Sequence, residues 1–154
     1  MNTTFTKLLF LLLLSLFAIA GCVRQSGHSN AAKLEMLPGV YRVIWSDGEA
    51  NDHNFIVEHK NGGWYMSDGV KTMPMHKMAA EEIEKTFGAD AAAKSQCLEN
   101  SEGLSRVIVC ATEPGVKTSV RIDDWVPYHT DFTSRTEHFA YIDYLGIWDL
   151  EKLK

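Results

Sequence analysis

The sequence predicts an α+β fold. A mainly antiparallel β-sheet of about six strands carries one principal amphipathic helix, and a small barrel-like sheet is the alternative closure. Three observations lead there. Short alternations of apolar and polar residues, separated by turn residues, recur from Val40 to Ile122. Asn61-Gly62 stands between two β-rich runs. A helical spacing of apolar residues takes over from that alternation mainly in one stretch, Met75 to Phe87.

Each element has its own reason. Val40 to Trp45 places Tyr41, Val43 and Trp45 on one face, the pattern of a half-buried strand, and Ser46-Asp47-Gly48 stops it. Glu49 to His53 reads as a polar loop. Asn54 to Lys60 alternates again around Phe55 and Val57. Asn61-Gly62 then turns the chain into Gly63 to Met66, because both central residues of a type I′ turn need positive φ. Asp68-Gly69 marks the next turn. Pro74 suits a first helical position, where its missing N–H costs nothing. Met75, Met78, Ala79, Ile83 and Phe87 form one helix face, Glu81, Glu82, Glu84 and Lys85 much of the other, and Gly88 is the stop.

Asp90 is placed to cap a second short helix over Ala91 to Leu98. Leu104 to Ala111 is apolar and β-branched, as expected of a strand buried on both faces. Glu113-Pro114-Gly115 turns into an alternating strand with Val116, Thr118, Val120 and Ile122, completing a second hairpin. Trp125, Pro127 and Tyr128 lie in a less regular stretch, and His129 to Thr136 reads as a polar loop. Phe139 to Tyr144 is a last aromatic strand, and Leu145 to Lys154 finishes as a short strand or helical turn.

The N-terminus has a different character. Lys7 is the charged side chain of residues 1–7, and Leu8 to Ala20 is apolar except for Ser15. As a helix that run rises about 20 Å, short of the ~30 Å hydrocarbon core, so it fits the apolar region of an export signal. Ile19-Ala20-Gly21-Cys22 then resembles the lipobox of bacterial lipoproteins, with Ile where Leu is commoner. The resemblance covers the leader alone. It implies cleavage before Cys22, a diacylglycerol thioether on that sulfur, and usually acylation of the new amino group. The other reading is an ordinary signal peptide with an incidental cysteine. Two or more acyl chains anchor stably where one does not. Val23 rather than Asp follows the cysteine, which under this resemblance favours the outer membrane over the inner.

The expected organisation is a signal peptide at 1–21, a lipidated cysteine and flexible tether at 22–36, and one globular domain at 37–154. Cleavage leaves 133 of 154 residues, enough to bury a core, and loss of Lys7 takes the net charge from −5 to −6. Such an acidic domain is a poor match for nucleic acid. With Cys22 lipidated, Cys97 and Cys110 remain as a pair in an oxidising compartment. A disulfide between them would close a loop worth ~3 kcal/mol, pinning the second helix to the sheet; two reduced, buried thiols are the alternative.

The sequence holds no Gly-x-Ser-x-Gly, no His-Glu-x-x-His and no phosphate-binding loop, so no catalytic residue and no cofactor is assigned. Four Trp and five Tyr are more suggestive, since these residues anchor protein interfaces. Tyr65, expected on the opposite strand face from Trp64, and Trp125, Tyr128 and His129 are the candidate binding residues. The expected function is therefore a lipid-anchored envelope protein, not an enzyme, that binds another protein in the periplasm, as an inhibitor, an immunity-type protein or an assembly accessory. The rival is a small periplasmic hydrolase or metal-binding protein using His129, Asp131 and His138; a spacer without a specific ligand is a third reading. Replacing Cys22 with Ser should move the protein out of the membrane fraction, as a soluble or unprocessed form. Fractionation with labelled palmitate checks this, and unchanged membrane retention would contradict the anchor.

Overall fold

Eight antiparallel strands close on themselves, each paired with the next in chain order except where a two-stranded ribbon is inserted. The computed structural model describes residues 32–100, 102, 105–121, 129–143 and 145–154. Around the wall run β1 (Gly39–Ile44), β2 (Ala50–Lys60), β3 (Gly63–Ser67), β4 (Thr72–Lys77), β5 (Gln96–Asn100), β6 (Val107–Ala111), β9 (His138–Ile142) and β10 (Gly146–Lys152). The seam is the pairing of β1 with β10, from Tyr41 opposite Lys152 to Ile44 opposite Asp149. β7 (Lys117–Arg121) and β8 (His129–Thr133) form the ribbon. Helices α1 (Ala80–Phe87) and α2 (Ala89–Lys94) fill the β4–β5 connection.

Side-chain alternation divides the apolar residues into two cores. Tyr41, Val57, Met66, Met75, Leu98, Val109, Ala140 and Leu150 point into the barrel and fill it. On the same strands Cys97, Ile108, Cys110, Phe139, Tyr141 and Ile147 point outward, and there they meet Met78, Ile83 and Phe87 from the helical insertion and Val116 and Val120 from the ribbon. The Phe87 ring stands edge-on to Phe139 and Tyr141. Half the wall is thus apolar on both faces, which is why β6 reads as the uninterrupted run Val-Ile-Val-Cys-Ala. Cys97 and Cys110 sit directly opposite each other on β5 and β6, joined as a disulfide with Cα atoms 4.1 Å apart.

The barrel has two unlike ends. At one, a helical turn at residues 32–35 leads into Leu37, which is fully buried against the interior cluster. The Met36 carbonyl accepts hydrogen bonds from Tyr41 Oη (3.1 Å) and Lys152 Nζ (2.7 Å), and His138 Nε2 lies 3.2 Å from it. Lys33 Nζ reaches the Lys94 carbonyl and the Glu113 carboxylate, both at 2.7 Å. The folded part therefore starts before the expected boundary at Leu37, because residues 32–36 serve as a plug. At the other end four short connections form a rim, whose described residues are 45–49, 68–71, 102, 105–106, 143 and 145.

Several sequence expectations held. Asn61 (φ 53°) and Gly62 (φ 76°) make the β2–β3 turn, and Gly88 (φ 91°) ends α1. Others are corrected. The sheet closes, as the barrel-like alternative expected, but with eight strands in the barrel and ten described in all rather than about six. Pro74 and Met75 lie in β4, opposite Tyr65 and Trp64, and α1 starts only at Ala80. Met73 and Met75 both face the interior, so a two-residue period overrode the helical spacing that continues from Met78. Glu82 accepts the Ala79 N–H at 2.7 Å and so starts the helix without a capping hydroxyl.

α2 stops at Lys94, and Gln96–Asn100 is a strand, so the disulfide staples two neighbouring strands rather than helix to sheet. β6 pairs with β5 and β9, not with β7. The expected loops at Glu49–His53 and His129–Thr136 contain the start of β2 and all of β8; in β8 Phe132 packs on the core within an otherwise polar run, so the polar sequence hid a strand. Leu145–Lys154 contributes a strand, β10. Phe87→Ala removes a fully buried ring from the outer core and is expected to cost about 3–5 kcal/mol of stability in denaturant unfolding; a negligible change would contradict this packing.

Candidate interaction surface

The rim gathers the apolar side chains that the barrel leaves out. Among the described residues five large hydrophobic side chains are exposed, and three of them, Trp45, Val70 and Leu145, stand on three of the four rim connections. Ile56, on the outer wall, and Leu153, near the C-terminus, are the others. Single exposed apolar residues are ordinary; their concentration at one end is not explained by folding.

Each tip is held by its own hydrogen bonds. Asp68 Oδ1 accepts the N–H of Val70 (2.9 Å) and of Lys71 (2.8 Å), so the turn that carries Val70 at 95% exposure is fixed from below. Those two N–H groups hold the Asp68 carboxyl below the usual carboxylate range. Trp45 exchanges bonds with its own loop, through its N–H to the Glu49 carbonyl (2.7 Å) and its carbonyl to the Gly48 N–H (2.9 Å). Its ring meets Trp148 edge-to-face at 4.8 Å. The Leu145 N–H bonds the Ile142 carbonyl at 3.0 Å. Order of this kind lowers the entropic cost of presenting apolar groups to a partner. Acidic side chains flank the tips: Asp47, Glu49, Asp68, Glu102 and Asp143 against Lys71 and Arg106 among the described rim residues.

The residues singled out by sequence are scattered. Tyr65 lies on the outer wall of β3, where Lys60 Nζ sits 5.4 Å from its ring centre, while Trp64 faces inward and stacks on His59. Tyr65 belongs to neither the rim nor the ribbon. Cys22, Trp125 and Tyr128 lie outside the described residues. His129 opens β8, opposite Arg121, and Asp131 is exposed two residues on. His138 is far from such a role: its ring is 4% exposed at the plugged end, packed on Tyr41 at 5.1 Å and directed at Met36. Among the described residues no group of three or more His, Cys, Asp or Glu is placed to hold a metal. The signal that marks the rim residues in sequence is slight, a lone apolar residue inside a turn such as Asp68-Gly69-Val70.

Burial pushes the His138 imidazole below its ordinary value of 6.5, since the charged form loses its hydration. In the unfolded chain the same ring binds a proton more readily. Its contribution to stability is thus complete above about 6.5 and is lost as pH falls through the lower folded value. Wild type should lose unfolding free energy on acidification from about 6.5 down to the folded value, and His138→Gln should lose less over the same window; parallel pH profiles in denaturant titrations would contradict the assignment. No family model matches the chain, and no curated protein or solved structure matches it significantly.

Proposed function

We propose that this is a lipid-tethered protein of the bacterial envelope, held on the outer membrane through Cys22, whose barrel binds another protein through the rim. The observation that carries the reading is position. The N-terminal segment enters at the plugged end, and the ordered apolar tips stand at the opposite end. Nine residues separate Cys22 from Ala32, and a random chain of that length spans roughly 17 Å. The eleven residues of β2, tilted as barrel strands are, place the two ends about 25 Å apart. A lipid at the tether therefore keeps the plugged end nearer the bilayer and the rim facing away. The acidic surround of the tips also suits a basic protein surface better than anionic headgroups.

Within this reading the protein is an inhibitor, an immunity-type protein or an assembly accessory, not an enzyme, and it needs no cofactor. A photo-crosslinking amino acid placed at Val70 or at Leu145 in intact cells should yield the same discrete adduct. One at Glu81, on the exposed face of α1, should yield none. Absence of adducts from the rim, or identical adducts from all three positions, would overturn the reading.

A further inference from the structure

Closure of the barrel removes every edge from the main sheet, but the ribbon keeps two. The β7 edge is occupied: the Lys117 N–H, pointing away from β8, donates to Asp90 Oδ2 at 2.8 Å, and the helices pack alongside. That bond also sets the phase of the ribbon. In an antiparallel pair, opposite residues either exchange both backbone bonds or neither. Lys117 spends its N–H on Asp90, so Lys117–Thr133 is a non-bonded pair, and by alternation so is Ser119–Asp131.

The N–H and C=O groups of Thr133 and Asp131 consequently point out of the ribbon, on the free side of β8. Farther along, the corresponding N–H of Arg135 is taken by Asp149 Oδ1 at 2.8 Å, and Arg135 Nε bonds the other carboxylate oxygen at 2.6 Å. Asp149, buried on β10, thus fixes one end of the edge to the barrel. Between Asp131 and Thr133 no described group covers it. Beside it lies a shallow cleft of about 230 Å³ whose floor includes Ile44, Ile147 and Trp148.

We propose that β8 is a docking edge for an extended segment of another protein, one that carries Lys or Arg at alternate positions and adds a third strand to the ribbon. Main-chain bonds to Asp131 and Thr133 supply the attachment. Alternate residues of the added strand then fall on Ile44 and Ile147, and those between them lie beside the exposed Asp131 carboxylate. A cation there is favoured, whereas a second copy of β8 paired antiparallel about its centre would set Asp131 against Asp131. Like charges directly opposite are unfavourable, so self-pairing is disfavoured by the same residue that selects the partner. This surface is separate from the rim.

The test uses the full chain in detergent with two capped peptides, Val-Lys-Val-Lys-Val and Val-Glu-Val-Glu-Val. The lysine peptide should slow amide hydrogen exchange over residues 129–135 and bind about tenfold more tightly than the glutamate peptide. Thr133→Pro deletes an outward N–H without removing a ladder bond and should abolish the slowing, while Thr133→Val, which keeps that N–H, should not. Should Thr133→Pro fail to fold, Asp131→Lys serves instead and should reverse the preference between the peptides. Equal binding of the two peptides, no slowing at millimolar lysine peptide, slowing that persists in folded Thr133→Pro, or a dimer of the full chain that this substitution dissociates would each overturn the proposal. The rim crosslinks are expected to survive Thr133→Pro, so failure here is distinguishable from failure of the rim reading.

Discussion

The seam between β1 and β10 is the constraint on which the rest depends. Four successive residue pairs, from Tyr41–Lys152 to Ile44–Asp149, turn a sequential meander into a ring. An open sheet of these strands would leave two long edges in water, each a template for pairing with another chain. Closure also defines an inside. Only then can Tyr41, Met66 and Met75 be buried, with Phe55, Trp64 and Met73 packed against them, without a second sheet to cover them. The Tyr41 hydroxyl bonds the Leu37 carbonyl at 2.7 Å and joins the seam to the plug, and burial raises its pKa beyond the usual phenol range.

The wall is asymmetric because its outer face is half covered. From β5 through β6 and β9 to β10 the outward side chains Cys97, Ile108, Cys110, Phe139, Tyr141 and Ile147 are apolar and lie under the helices and ribbon. From β1 to β4 the outward positions carry Arg42, Glu58, Tyr65 and His76, with Arg42 paired to Glu151 across the seam and His76 close to Glu99. The inserted segments thus serve as a second layer that lets a small chain bury two cores. The disulfide lies in the covered half, next to Phe87 and Ile108, where it links two strands already in register.

How much of this the chain announces depends on what each residue does at its position. The β2–β3 turn was legible because Asn61 and Gly62 both adopt the backbone region that their types favour. Strand β6 was legible because two-sided burial leaves no polar position. The β4–α1 boundary was not, since Met75 stands at a strand spacing from Met73 and at a helix spacing from Met78, and only the partner strand decides between them. β8 was hidden for the opposite reason: as an edge with one face on the core it needs a single apolar residue, Phe132. The rim was invisible because its tips are scattered along the sequence and meet only when the strands between them align. Barrel closure itself has no local signature, for the pairing of Tyr41 with Lys152 is set by the whole circuit of strands.

The plug at residues 32–37 gives the molecule a defined mechanical polarity. A pull on the N-terminal segment meets Lys33 and the Met36 carbonyl before it reaches β1. β1 is hydrogen-bonded on both sides, to β2 and to β10, and runs away from the point of attachment. Tension along the barrel axis therefore loads both ladders in shear, with many bonds resisting together, rather than peeling them one at a time.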